Sequence, residues 1–166
     1  MKLDIISIID GLLTAKEKEA LTTYLEMMKL SPSHYLSPVY DQLYMKHPEV
    51  KAIESWKDVP DDHLKDDPGY IEAINKEAGV LTEILNYLDD PEGSYQVYYG
   101  YGEYLEMRGY TWQFYDWYLQ VFYKHLESLK DIRPEVITAL QKLKLYTSSV
   151  VKKALGKFKF NFLKHI

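Results

Sequence analysis

Apolar residues in this chain recur at intervals of three and four. From Trp112 to Leu129 the stripe Trp112, Tyr115, Leu119, Phe122, Leu126, Leu129 advances in steps of 3, 4, 3, 4 and 3. Only a helix gathers residues so spaced on one face. No stretch alternates apolar and polar residues as a half-buried strand does, so the expected class is all-α. Apolar residues make up 46% of 166, enough to fill one core, and residues 1–166 are read as a single domain.

Punctuation residues divide the chain into about seven or eight helices. A short helix is expected over Leu3 to Leu13. "TAKE" at Thr14 to Glu17 has the form of a capping box and opens a second helix through Ala20, Leu21, Tyr24, Leu25 and Met28. "SPSHYLSP" reads as a break, with Pro38 in the first turn of the next helix, which carries Val39, Leu43 and Tyr44. "HPE" at 47–49 ends that helix and starts a short one. "WKDVPDDHLKDDPG" reads as a polar connection. A long helix with Ile71, Ile74, Ala78, Leu81 and Leu85 on one face follows and stops near "DDPEG". The next helix has an inward stripe of Tyr95, Tyr98, Gly102 and Leu105 and ends at Gly109. Thr111 caps the helix of the opening stripe, and "RPEV" starts the last, with Val136, Leu140, Leu143, Thr147, Val150 and Ala154 inward.

Composition removes several classes of function. The formal net charge of −5 argues against a nucleic-acid partner held by phosphate contacts. The absence of cysteine removes disulfides, iron–sulfur clusters and zinc-thiolate sites. No run is long and apolar enough to span a membrane, and Asp4 and Asp10 interrupt the start where a secretory signal needs an unbroken apolar stretch. A cytoplasmic protein without membrane insertion is expected. No Ser/His/Asp set, carboxylate pair or phosphate loop supports an enzyme. His125 lacks the flanking residues of a phospho-acceptor histidine, and no histidine pair has metal-binding spacing. Tyrosine is unusually frequent, at 16 residues, and suits half-polar cavities and interfaces as well as cores.

Three segments in order carry a resemblance. "LYMKHPEVKAI" (43–53) resembles the second-to-third helix junction of globins. "NKEAGVLTEIL" (75–85) resembles the globin helix on the distal side of haem. "YGEYLEMRGYTWQFYDWYLQVF" resembles the proximal helix and its successor in globin-coupled sensors. By this resemblance the proximal histidine position falls on Leu105, the distal one on Ala78, and that of the phenylalanine packing on haem on Glu54, near Ile53 and Trp56. Leucine has no lone pair for iron. Tyr101 and Tyr104 are phenols, but the expected inward face leaves both turned partly away. The chain looks most like the non-haem globin sensor domains of sporulation histidine kinases and their free-standing homologues.

The resemblance implies a globin-like fold lacking haem, with an extra N-terminal helix. It also implies a homodimer on the last two long helices, a fatty acid in the old haem space, and a halide ion as a further ligand. Free-standing members inhibit sporulation by competing with the kinase for its signal. The expected pocket residues are Leu43, Ile74, Ala78, Leu81, Leu85, Tyr98, Gly102, Leu105 and Phe122. Small residues at Ala78, Gly79 and Gly102 fit either a cavity or close helix packing. Arg108 is either an anion contact or a cation at a helix C-terminus. Phe114, Trp117, Tyr118, Val121 and His125 are the expected dimer interface. About ten buried methylenes supply roughly 8 kcal/mol, so an uncharged tunnel is enough to hold a lipid. The competing expectation is a ligand-free interaction module with a filled core.

Overall fold

Proline and capping side chains set where the helices begin. The computed structural model describes residues 11–87 and 90–156. The helix expected at Leu3–Leu13 lies almost wholly outside them. Every regular element among the described residues is helical: α1 (Ala15–Leu30), α2 (Pro32–Lys46), α3 (Pro48–Ala52), α4 (Pro68–Thr82), α5 (Pro91–Met107), α6 (Trp112–Ser128) and α7 (Pro134–Leu155). Short 3-10 segments at Asp61–Asp66 and Glu83–Tyr87 precede and follow α4. The chain is all-α, as its periodicity predicts.

The Thr14 hydroxyl accepts from the Glu17 N–H at 3.1 Å, and the Glu17 carboxylate accepts from the Thr14 N–H at 3.2 Å. The same carboxylate takes a bond from Lys142 at 2.8 Å, tying α1 to α7. Five helices, α2, α3, α4, α5 and α7, carry proline in their first turn, where its missing N–H costs nothing. The expected start at Pro38 is incorrect. Helix α2 begins at Pro32, and Pro38 sits inside it. The chain breaks at Ser31 instead, just ahead of the first proline. The end of α5 is as expected: Gly109 adopts φ 91°, the Tyr110 N–H bonds Leu105 O and the Gly109 N–H bonds Glu106 O.

Two helices turn other faces inward than the spacing predicts. On α4, Ile71 is 41% exposed, and Tyr70, Ile74, Glu77 and Ala78 are buried. On α6, Trp112 is 54% exposed and donates to Lys152 O, whereas Tyr118 and Val121 join the core. The α7 stripe is buried throughout. The core is continuous, and each fully buried leucine in it, such as Leu21, Leu36 or Leu43, contributes about 1.5–3 kcal/mol.

Helix α5 packs more extensively on α7 than on any other element. They meet at Gly102, where an added Cβ would lie 2.5 Å from Val151 O and 2.6 Å from the Ala154 Cβ. Those partners are backbone and a stub side chain, neither of which can swing away. Gly102→Ala is therefore expected to cost about 1–3 kcal/mol by denaturant unfolding. Gly100→Ala, two residues away with open space around it, should instead stabilise by up to about 1 kcal/mol. Equal effects at the two glycines would show that close approach at Gly102 does not set the helix spacing.

Candidate functional site

A hollow lies among α4, α5, α6 and α7. It offers about 40 Å³ to the centres of water-sized groups, room for about three waters. Helix α4 contributes Glu77, Val80 and Leu81, α5 Tyr98 and Tyr101, and α6 Tyr115, Tyr118 and Phe122, with Leu140 and Thr147 of α7 closing it. Its walls are mainly aromatic and aliphatic. The Tyr98 hydroxyl donates to Val80 O at 2.8 Å and that of Tyr123 to Leu140 O at 3.0 Å, which aligns both rings along the wall.

Of the nine expected pocket residues, Leu81, Tyr98 and Phe122 line this hollow. Leu43, Ile74, Ala78 and Leu105 are buried but close on other core side chains, and Leu85 is half-buried against the core. Gly102 faces α7, so its smallness serves helix packing. Gly79 is exposed, with open space where a side chain would begin, and takes part in neither. Tyr101, expected to turn partly away, is buried and lines the hollow, while Tyr95 is only half-buried.

The expected interface on α6 divides. Tyr118 and Val121 are buried in the chain's own core, and Tyr118 lines the hollow. Phe114 and Trp117 are half-buried and stack on each other at 5.6 Å, and Trp117 stacks on His47 at 3.9 Å. His125, also half-buried, pairs through Nδ1 with Gln42 Nε2 at 3.0 Å. His34 and His63 are exposed, so none of these four histidines reaches the core.

Arg108 has a partner within the chain. Its Nε and Nη2 donate to the two oxygens of Glu54 at 3.1 and 2.5 Å. The guanidinium lies 5.0–5.3 Å from the ring centres of Trp56, Tyr104 and Tyr110. Arg108 is the C-cap of α5, the helix-end cation of one reading, and the carboxylate it holds within the chain is that of Glu54. Burial pulls the guanidinium down, but Tyr40, Tyr110 and Glu54 more than offset this, so Arg108 keeps its charge. Burial pushes the Glu54 carboxyl up more than Arg108 draws it down. The two-pronged bond nonetheless marks Glu54 as the counter-ion. Glu54, to which the resemblance assigned the haem-packing phenylalanine position, is thus half of an ion pair.

Sequence reasoning missed Glu77. It is 1% exposed, and neither carboxyl oxygen has a hydrogen-bond partner. Burial raises its pKa to about 7, against smaller lowering by the Tyr40 hydroxyl and the Arg108 charge. The signal was its register: Tyr70, Ile74, Glu77, Leu81 and Ile84 step by 4, 3, 4 and 3. Arg108 Nη1 and the Tyr110 hydroxyl are also buried without partners. Among the described residues no three His, Cys, Asp or Glu side chains gather as a metal site would need. No helix there is long and apolar enough to cross a membrane. Set against known proteins, the sequence matches no family model and no curated protein.

Glu77 makes folding proton-linked. The folded chain holds this proton where the unfolded chain has released it. The contribution is full below about pH 4.5 and is lost as pH rises through about 7. The difference amounts to about 3 kcal/mol. Denaturant unfolding of the wild-type chain should therefore lose about that much, relative to Glu77→Gln, between pH 4.5 and 8. Parallel pH profiles for the two proteins would place the proton elsewhere.

Proposed function

We propose that the chain is a non-catalytic, haem-less globin-like sensor module. Its hollow is the binding site of a fatty acid, and it acts as a homodimer in the cytoplasm. It inhibits sporulation signalling by titrating that ligand from a related sensor histidine kinase. The observation that carries the reading is the position of the hollow. It lies between α4 and α5, the two helices that resemble the distal and proximal helices of globins, and its walls are mainly apolar and aromatic. The positions matched to the iron-facing histidines hold Ala78 and Leu105, neither a metal ligand. Half-buried Leu81, Leu119 and Tyr123 mark the side of the hollow nearer solvent. A longer alkyl chain enters by moving these, since the resting space holds only about three waters.

That small volume favours a second reading, a ligand-free interaction module whose core is already filled. The half-buried stack of Phe114 and Trp117 on α6 would then be its docking face. Mass spectrometry of organic extracts separates the two. The sensor reading expects a co-purifying fatty acid near one per chain and no Soret band in the absorbance spectrum. A lipid-free protein that takes up no dodecanoate supports the interaction module. A Soret band overturns both. Titration acts by mass action, so overexpression in a spore-former should lower sporulation in proportion to the amount made.

A further inference from the structure

We propose that Glu77 is the polar contact for a ligand in the hollow: its protonated carboxyl donates a hydrogen bond to an acidic head group, so ligand and proton are held together. This rests on the reading of the hollow as an amphiphile site and adds to it the residue that recognises the head.

The argument begins with unmet hydrogen bonds. Three polar side chains on the wall are occupied: the hydroxyls of Tyr98, Tyr123 and Thr147 donate to the backbone carbonyls of Val80, Leu140 and Lys144, and Tyr101, Tyr115 and Tyr118 add phenol hydroxyls to the lining. Glu77 lines the same space with both oxygens unmatched. A buried carboxyl left so is destabilising, and a bound group facing it would recover that loss.

Charge then selects the form of the acid. The groups facing Glu77 are Tyr40 of α2, Tyr70 of α4 itself, Tyr101 of α5, Tyr110 between α5 and α6, Tyr115 of α6, and Arg108. On α7 the wall is Leu140 and Thr147, which do not titrate. Burial raises every one of these tyrosines, to about 12 for Tyr70 and higher for the rest, so none ionises near neutrality. Arg108 is already matched by Glu54. Glu77 is therefore the group whose charge changes near neutrality. Ionised, it would repel an acidic head in a low-dielectric interior. Protonated, it makes the short O–H···O⁻ bond that is the stronger kind.

The test uses dodecane-1-sulfonate, whose head stays ionised from pH 6 to 8, so only the protein titrates. Calorimetry on the delipidated full chain should find binding about tenfold weaker at pH 8 than at pH 6, as the protonated fraction falls from about 0.9 to 0.1 around a pKa of about 7. Glu77→Gln is isosteric and its amide still donates, so its affinity should change less than twofold. The same tenfold loss in Glu77→Gln, or pH-independent binding by the wild type, overturns the role of Glu77 and leaves the amphiphile site standing. Failure of the wild type to bind either the sulfonate or dodecanoate at pH 6 overturns both.

Discussion

Helix α5 is fixed at two places, and the interior takes its shape from both. At Gly102 its backbone meets α7 with no room for a side chain. One turn and a half further on, Arg108 reaches from its C-cap to Glu54, just past α3. A desolvated ion pair of this kind rarely adds stability over an apolar pair of the same shape. Its two-pronged geometry does fix the orientation of the helix end. With both points set, Tyr98, Tyr101 and Leu105 are committed inward. Three rings around the guanidinium, those of Trp56, Tyr104 and Tyr110, keep water from loosening the second point.

The helical class and most helix starts were legible in the sequence because they rest on local chemistry. A capping box, five first-turn prolines and a left-handed glycine act within a few residues of themselves. Pro38 misled because Pro32 offered the same signal six residues earlier, and only tertiary packing tells a starting proline from an interior one. The inward faces of α4 and α6 were harder. A helix with apolar residues around much of its circumference leaves its rotation to its neighbours. Ile71 and Trp112 therefore face solvent while Tyr118 and Val121 face in.

The site was less legible than the fold for a related reason. Glu54 and Glu77 are charged, and the default reading turns charged residues outward. Glu54 is inside because Arg108, from another helix, meets it there, a long-range pairing that no local pattern shows. Glu77 was visible in its stripe, but its burial becomes meaningful only beside the hollow. Three of the nine expected pocket residues line that hollow, because helical spacing gives which residues share a face and not how the helix is rotated against its neighbours.

Electrostatics narrows what such an interior admits. Tyr101 is buried with its hydroxyl pushed well up by desolvation, so a phenolate there is strongly disfavoured without a cation to hold it. Glu54 and Arg108 already cancel. Glu77 is buried with no hydrogen bond to hold a charge on its carboxyl, and desolvation favours its protonated form. An occupant of the hollow must then be apolar where it meets the rings and able to accept a hydrogen bond where it meets Glu77. A cation would have to draw the proton off Glu77 first, within the field of Arg108.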